Sequence, residues 1–488
     1  MKTNVKSTSQ TRPPSKKRRG KRARHTPSLN LPKPRADVAG ADIGAREIAL
    51  CVPEGSDPKP VRIFATFTAD LGEAIQWLKQ CGVHSVAMES TALYWLPFAQ
   101  LLAEAGIEIV PKALSGAEGL ANARHVRHLP GRKSDVLDCQ WIQYLHSVGL
   151  IRGSFRPADE LCALRSLTRH RDNLIAQAAD QVRYVHSALV QMNIQIQHVI
   201  DDITGATGSA IIEAILAGER DPGRLAQHRD RRIKATRETI TKSLHGHWRE
   251  EHLLVLRLAW ESRAHFQSHA ARLEEQIQRR TAALQSAHEQ SQQPAQAAPA
   301  KRGKSKNQPA QSEEMRAQFT RLFGVDLTQI PTINVLTVQA LLAEIGPDFR
   351  AFPNEHAIAS WAGLCPGTKI SGGRRLSKRT RRGKPRIATM LRQSALSLHS
   401  SKSALGAKYR RLRARLGAPK ALTAMAHLIL KIICKLVREQ IPYDESIFAQ
   451  LEKQHEQNRI RALEKTARNL GYTLTKAEAT CPDYEVLA

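Results

Sequence analysis

The spacing of apolar and polar residues predicts a mixed α/β region at residues 37–152. Short apolar runs are typical of β-strands, and they occur at Ala36–Ile43, Glu47–Val52, Arg62–Thr68, Ser85–Met88 and Glu108–Val110. Apolar residues at helical spacing predict helices at Leu71–Gln80, Leu93–Ala105 and Asp135–Ser147. The first three strands have short connections, which favours an antiparallel meander, and the later strands alternate with helices.

A three-strand meander followed by strand–helix units is the layout of an RNase H-like α/β fold, and a doubly wound sheet is the alternative. Downstream, few helix breakers and heptad-like apolar spacing over residues 157–288 predict long helices in an antiparallel or dimeric coiled coil. Residues 289–312 have the composition of a low-complexity linker. Residues 314–440 are predicted to form a second, mostly α-helical domain, and residues 441–488 a helical tail.

The charge of the chain points to a polyanionic partner. The formal net charge is +29, and residues 1–36 carry twelve Lys or Arg and no acidic residue, as expected for a disordered basic arm. No apolar run approaches the roughly 20 residues that a membrane-spanning helix needs, and the N-terminus lacks the apolar region of a secretory signal. Seven scattered cysteines without a C-x-x-C pair fit a reducing compartment, so we expect a cytoplasmic, nucleoid-associated protein.

Four carboxylates stand out in this basic chain. Asp42 and Glu89 each end a predicted buried strand, and Asp135 and Asp138 stand at i and i+3, on one face of a predicted helix. Together they would form an acidic pocket suited to Mg²⁺ or Mn²⁺ and to phosphodiester chemistry. Each carboxylate alone is more readily explained as a solvated or helix-capping residue.

A Gly/Ser loop followed by a basic run is the second candidate. Ser371 precedes Gly372 and Gly373, and eight of the thirteen residues 374–386 are Lys or Arg. A hydroxyl beside glycines can be approached closely by a DNA backbone, so Ser371 could be a nucleophile, although a loop that only binds phosphates is the simpler interpretation. The residues expected to contact nucleic acid are Gly372, Gly373, Arg374, Arg375, Lys378, Arg379, Arg381, Arg382 and Lys384.

The segment from Ile330 to Gly346 is similar to a helix-hairpin-helix, a motif whose turn presents backbone N–H groups to a phosphate. Thr332 and Asn334 stand where glycines are usual, and Asn tolerates the left-handed region better than Thr. A plain helical hairpin is the alternative interpretation.

These motifs together resemble the insertion-sequence one-ten (IS110) family of transposases, over residues 37–150 and 314–440. The resemblance implies a RuvC-like domain whose Asp-Glu-Asp-Asp set falls on Asp42, Glu89, Asp135 and Asp138. It also implies a C-terminal transposase domain whose catalytic serine matches Ser371. The shared segments there are Leu341–Gly346, Trp361–Pro366 and Ser371–Gly373.

The resemblance implies a prokaryotic recombinase of a mobile element. Ser371 would form a covalent phosphoserine link to double-stranded DNA with the help of Mg²⁺ or Mn²⁺. A structured guide RNA would select the DNA, and the active site would be shared within a homo-oligomer, a dimer or a tetramer. The alternatives are a metal-dependent endonuclease or junction resolvase that uses water, and a non-catalytic nucleic-acid scaffold.

Overall fold

The computed structural model describes residues 35–88, 93–109, 120–121, 135–151, 153–155, 157–289, 312–377, 380 and 385–475. For Asp135, Arg375 and Ser377 it describes the backbone alone. The described residues form two compact units, and the chain passes from the first to the second after Gly153. Nearly all of the predicted basic arm, the linker at 290–311 and residues 476–488 of the predicted tail lie outside the described residues.

The first unit contains a four-stranded mixed sheet, which confirms the predicted meander. Its strands are β1 (Val38–Ile43), β2 (Glu47–Cys51), β3 (Val61–Ala65) and β4 (Ser85–Met88), in the order β3-β2-β1-β4. The first three are antiparallel neighbours, and β4 lies parallel to β1. The predicted strand at Glu108–Val110 is reduced to an isolated bridge between Glu108 and Ser85. This small mixed sheet with its helices is consistent with an RNase H-like domain.

Helices cover both faces of the sheet. They are α1 (Thr68–Gln80), α2 (Trp95–Glu104) and α3 (Asp135–Ser147), close to the predicted bounds. Ala39, Ala41 and Ile43 of β1 share a core with α1 and α2, whereas α3 packs on the opposite face, where Ile142 contacts Ala87. Side chains alternate along a strand, so Gly40 and Asp42 belong to the α3 face. A short strand, β5 (Leu120–Ala121), completes the unit.

The second unit is mostly helical, and two long helices begin it. After β6 (Gly153–Ser154) come α4 (Asp159–Gln191) and α8 (Glu250–Glu289), separated by α5 (Ala206–Leu216), α6 (Pro222–Leu225) and α7 (Arg237–Ser243). The end of α4 shares a core with the start of α8, while Arg171 of α4 is bonded to Glu274, far along α8. The two helices therefore pair antiparallel within one chain. Self-association of this segment and coiled-coil packing remain predictions.

The C-terminal helices enclose the largest core of the second unit. They are α9 (Ser312–Phe323), α10 (Val335–Ile345), α11 (Glu355–Trp361), α12 (Arg386–Leu396), α13 (Ala404–Leu416), α14 (Ala418–Glu439) and α15 (Glu445–Asn469). Fully buried apolar residues of α10, α12 and α14, such as Leu341, Leu391 and Ile433, meet in this core. The strands β7 (Lys369–Ser371) and β8 (Arg374–Ser377) form a hairpin that lies between α11 and α12 in the sequence. Within the described part of the chain, no helix is long and apolar enough to span a membrane.

A side chain at Gly40 should disturb the packing of α3 on the sheet. A Cβ there would lie 2.3 Å from both the carbonyl oxygen of Cys139 and the backbone nitrogen of Gln143, and neither can move without moving the helix. We expect Gly40→Ala to destabilise the first unit by about 1–3 kcal/mol, since overpacking forces a backbone shift. Hydrogen–deuterium exchange of α3 and denaturant unfolding would measure this.

The matched control is Gly72→Ala. Gly72 lies in α1, where an added Cβ would meet nothing within 4 Å, and alanine favours a helix over glycine. This variant should be neutral or slightly more stable. Equal exchange rates in both variants would contradict the close-packing argument.

Candidate active site

Asp42 lies at the end of β1, on the face that α3 covers. Strand pairing places Ala41 beside Met88, the last residue of β4, so β4 ends level with the residue before Asp42. Asp42 is half-buried. Glu89, the next residue of the chain after β4, lies outside the described residues.

The register of α3 on β1 brings the N-terminal turn of the helix to Asp42. At the helix's other end, the Arg35 N–H donates to the Ser147 carbonyl at 3.2 Å. One turn earlier, Gln143 Nε2 donates to the Val38 carbonyl at 3.2 Å, and Gly40 then contacts Cys139 and Gln143. The helix therefore runs antiparallel to the strand, and its first turn, Asp135 to Asp138, lies toward the end of β1 that carries Asp42.

The electrostatics of Cys139 agree with this register. Its thiol is buried, and burial, then Cys51 and then the Asp42 carboxylate raise its pKa to about 12. An interaction with Asp42 requires that carboxylate to lie near the first turns of α3. Cys139 directly follows Asp138, a half-buried residue. The thiol itself stays protonated at neutral pH, and a protonated thiol is a poor nucleophile.

The described carboxylates suit a hard divalent cation but do not complete a site. Asp42 and Asp138 are both half-buried acids near one end of a strand, and oxygen ligands of this kind are those that Mg²⁺ prefers. Asp135 is the first residue of α3, with its side chain not described. Among the side chains that are described, no group of three or more His, Cys, Asp or Glu comes together.

Ser371 lies at the tip of the β7–β8 hairpin and is exposed. Ser371 pairs with Arg374, and Gly372 and Gly373 between them have φ angles of 54° and 73°. Positive φ at both central residues is the geometry of a type I′ turn, which joins twisted strands closely and favours glycine at both positions. The turn therefore fixes Ser371 next to the exposed Arg374 on an accessible edge.

The other predicted nucleic-acid contacts are only partly described. Gly372, Gly373 and Arg374 are exposed at the turn, and Arg375 follows in β8. Lys378, Arg379, Arg381, Arg382 and Lys384 lie outside the described residues.

An ion-pair network around the buried carboxylate of Glu344 holds the first residue of α12. Arg386, the first residue of α12, is paired with Asp172 of α4 and lies 3.9 Å from Glu344 of α10. Glu344 is 5% exposed at its side chain and also accepts from Arg169 at 2.7 Å and pairs with Arg165 at 3.4 Å. The network thus ties α12 to two other helices.

The pKa values of two arginines follow from this crowding. The hydrogen bond to Glu344 raises the pKa of Arg169. Burial, with the neighbouring guanidiniums of Arg169 and Arg171, lowers the pKa of Arg386. Both remain charged at neutral pH, because guanidinium groups titrate only under strongly basic conditions.

The turn before α10 differs in detail from the glycine-rich turn of a helix-hairpin-helix. Thr332 adopts a φ of 85°, an uncommon conformation for a β-branched residue, and its buried hydroxyl oxygen has no hydrogen-bond partner. Asn334 is instead the N-cap of α10, and its side chain accepts from the Thr337 N–H at 2.8 Å. The motif and its phosphate contact remain predictions.

Sequence reasoning missed three features that position these residues. The Gly372–Gly373 pair between two short runs is a hairpin signal, and it could have predicted β7 and β8. The role of Gly40 had only a weak signal, a glycine inside an apolar strand. The partners of Glu344 carry no signal in the sequence, because Arg165 and Arg169 lie 175 or more residues before it and Arg386 begins a different helix after it.

Comparison with known proteins gives two family matches. A family model described as a transposase, of the DEDD type of IS110, matches residues 39–194, from β1 to the end of α4. A second model, described as Transposase IS116/IS110/IS902 family, matches residues 326–410, which include α10, the β7–β8 hairpin and α12. No curated protein matches the chain.

The sheet with its acidic end and these two matches define the chain as a DNA transposase, an enzyme that recombines DNA. It belongs to the IS110 family. Both regions in which the sequence resembled that family are matched, and the first match extends further, through the long helix α4.

Removing the charge of Glu344 should loosen the segment that follows the hairpin. Glu344→Gln leaves three arginines around a buried neutral group. Their side chains are 18%, 24% and 50% exposed and can contact water, so we expect a loss of about 1–3 kcal/mol, less than the roughly 3–5 kcal/mol for a fully buried pair. Denaturant unfolding of the full chain and hydrogen–deuterium exchange at the start of α12 would measure the effect.

The control is Asp348→Asn, which removes an exposed carboxylate 3.6 Å from Arg350. Exposed pairs contribute roughly 0–1 kcal/mol, so this variant should be close to the wild type. If both variants unfold alike, the network does not stabilise this part of the second unit.

Proposed function

We propose that the protein cuts and rejoins DNA through a phosphoserine intermediate at Ser371, aided by a divalent cation at Asp42, Glu89, Asp135 and Asp138. The observation that carries the proposal is the placement of Asp42 beside the first turn of α3, the turn that holds Asp135 and Asp138. Residues far apart in the sequence thus approach one end of the sheet.

The four carboxylates are the residues that would hold Mg²⁺ or Mn²⁺. Bound there, the cation would supply Lewis-acid stabilisation of the charge that develops on the phosphate. The fold of the chain positions the carboxylates. The antiparallel packing of α3 on β1 sets the distance between Asp42 and Asp138. Both carboxylates are half-buried, which limits their contact with water.

Ser371 would be the nucleophile that attacks a DNA backbone, and its exposure at the tip of the hairpin supports this role. In the proposed step its oxygen forms a bond to phosphorus while the bond from phosphorus to a DNA oxygen breaks, and the serine proton ends on the departing oxygen. The resulting ester keeps the energy of the broken bond, so a second DNA hydroxyl can restore the phosphodiester and release the serine. Arg374, paired with Ser371 across the turn, would stabilise the charged phosphorus centre.

The partners in this proposal are double-stranded DNA, a structured guide RNA and further copies of the chain, as a dimer or a tetramer. The net charge of +29 and the basic arm support contact with both nucleic acids. The reaction would take place at the prokaryotic nucleoid.

Neutralising either described carboxylate should stop recombination. We expect Asp42→Asn and Asp138→Asn to lower the recombination rate by several orders of magnitude, because the cation would lose a charged ligand. Binding of nucleic acid should be unchanged or slightly tighter, since each variant removes a negative charge. A recombination assay and a filter-binding assay, each with a Mg²⁺ titration, would measure the two effects.

Glu73→Gln is a control, because this acid lies on α1, away from the end of β1 that carries Asp42. It should recombine normally. Wild-type recombination by Asp42→Asn or Asp138→Asn would show that the cation site is assigned to the wrong residues.

Replacing Ser371 should remove the covalent intermediate. A phosphate-binding hydroxyl contributes about 1 kcal/mol, or a few-fold in rate, whereas loss of a nucleophile abolishes the pathway. We therefore expect Ser371→Ala to eliminate recombination and the denaturant-stable protein–DNA adduct. Gel analysis of labelled DNA after protease treatment would detect the adduct.

Ser377→Ala is the matched control, a second serine of the same hairpin, and its effect should be much milder. An adduct that persists in Ser371→Ala and disappears in Ser377→Ala would identify Ser377 as the nucleophile. Absence of any adduct in an active wild-type protein would favour water as the nucleophile, as in a resolvase.

A further inference from the structure

The outer strand of the sheet, β3, leaves part of one face uncovered beside Asp42. Strand pairing aligns Asp42 with Ala49 of β2 and Ala49 with Ile63 of β3, so the three residues form one row across the sheet. Side chains in such a row share a face, which here is the face on which α3 packs. Neighbouring strands lie about 4.8 Å apart, so Ile63 is about 10 Å from Asp42 along the row.

The helix α3 covers this face only as far as the start of β3. Cys139 of α3 shares a small core with Ala49, and Val61, the first residue of β3, packs against that core. Two residues later on the same face, Ile63 is 55% exposed. The face that carries Asp42 is therefore open along its β3 edge.

Phe67 extends the open face beyond the end of β3. After the last residue of the strand, the Thr66 N–H donates to the Arg46 carbonyl at 3.1 Å, and the Thr66 hydroxyl donates to the Ala45 carbonyl at 3.3 Å. These bonds hold the backbone against the turn between β1 and β2. Phe67 follows in an extended conformation, with φ of −72° and ψ of 151°, so strand alternation places it on the face of Ile63.

The Phe67 ring contributes little to the stability of the fold. Phe67 is the N-cap of α1, a position that favours Ser, Thr, Asp or Asn, and its side chain makes no capping hydrogen bond. The residue is also 75% exposed, so burial of apolar area does not offset the missing cap. Phe67 and Ile63 thus present two apolar side chains to a ligand on one face of the sheet.

The surface around these two residues carries balanced charge. Arg46 and Glu47, at the turn between β1 and β2, are both exposed and have opposite charges. A phosphate gains little from such a pair, whereas an apolar ring face would displace water from Phe67 and Ile63. A nucleic-acid base has a face of this kind, and every base can stack on an aromatic side chain.

We propose that Phe67 and Ile63 hold an unpaired base of the nucleic-acid strand whose phosphate lies at the acidic end of the sheet. The proposal rests on the proposed function, which places a phosphate near Asp42. A strand advances about 3.4 Å per stacked nucleotide, so the distance of about 10 Å from Asp42 to Ile63 corresponds to about three nucleotides. The base is unpaired because a base within a duplex presents only its edges to a protein. Its stacking would fix the position of the strand along the carboxylates.

The first test is photo-crosslinking in the full chain. A photo-reactive phenylalanine analogue replaces Phe67 in one variant and Leu150 in the control. Leu150 is 56% exposed in the same unit, and it follows the end of α3 that lies far from Asp42. Each variant is irradiated with labelled 12-nucleotide dT and rU strands and with a 12-base-pair DNA duplex.

We expect position 67 to crosslink to the unpaired strands about fivefold more than position 150 does, and to the duplex no more than position 150 does. The factor corresponds to the lower end of the effect of stacking one base on an aromatic ring. A higher yield with rU or with dT would identify RNA or DNA as the strand. Thermal unfolding would establish that both variants fold.

The second test asks whether the contact is with a base. Affinities for a dT strand and for an abasic strand of equal length are compared, because the two carry the same phosphates. Phe67→Ala should lower the ratio of these affinities about fivefold. Phe67→Trp should keep the wild-type ratio, since indole also stacks, and Leu150→Ala should leave it unchanged.

Several results would overturn the proposal. Position 67 could give no strand crosslinks, or equal yields with strands and duplex, which would indicate general surface contact. Crosslinks from position 67 only to protein would show that another part of the chain or a second copy covers this face. An unchanged affinity ratio in Phe67→Ala would exclude base stacking.

The outcomes also separate this proposal from the proposed function. If Asp42→Asn stops recombination but position 67 does not crosslink to the strands, the base contact alone is wrong. If position 67 crosslinks and Phe67→Ala loses the preference for dT, but Asp42→Asn recombines normally, the cation site is wrong and the base contact stands.

Discussion

The close contact between α3 and the backbone of β1 at Gly40 is the constraint on which the acidic end of the first unit depends. A glycine at this position lets the helix lie directly against the strand, with backbone atoms of Cys139 and Gln143 in the space of a Cβ. Asp42 lies two residues after Gly40 in β1, and the same packing sets the distance between Asp42 and the first turn of α3. A larger residue at Gly40 would therefore displace the helix and change the distance between Asp42 and its first turn.

Charge is distributed unevenly along the chain, and this distribution suits its chemistry. Between Glu355 and Glu439 the sequence has twenty Lys or Arg and no acidic residue, so this region attracts a polyanion over a wide area. The acids lie elsewhere, at the end of β1 and in the ion pairs of Glu344. Acids at the end of β1 would repel phosphate, and under the proposed function a bound cation would offset that repulsion. Glu344 pairs with arginines and so helps to hold helices together.

The local elements were predictable from sequence because their periodicity is strong. The bounds of β4 and of α3 agree with the prediction residue for residue, since apolar runs and turn residues delimit both. The same reasoning predicted that Asp42 and Asp138 belong to one acidic site, and the assignment of that site remains a prediction. The ion pairs of Glu344 could not be predicted, because periodicity carries no information on which distant charges meet. The β7–β8 hairpin was not predicted, because the basic run after the two glycines favoured a loop. The short helices α5, α6 and α7 between the two long helices were not predicted either.

The paired helices α4 and α8 carry separate hydrophobic cores at their two ends. Leu164 belongs to the core of the C-terminal helices, and Val185 belongs to the core formed with α5 and α7. Leu164 and Val185 are separated by 21 positions, or about 30 Å of helix, so a tilt of the helix pair at one end displaces its other end. A tilt of about 6° at the Leu164 end would displace the far core by roughly 3 Å over that length. Small rearrangements among the C-terminal helices would thus be transmitted as movements large enough to break or form hydrogen bonds at the far end.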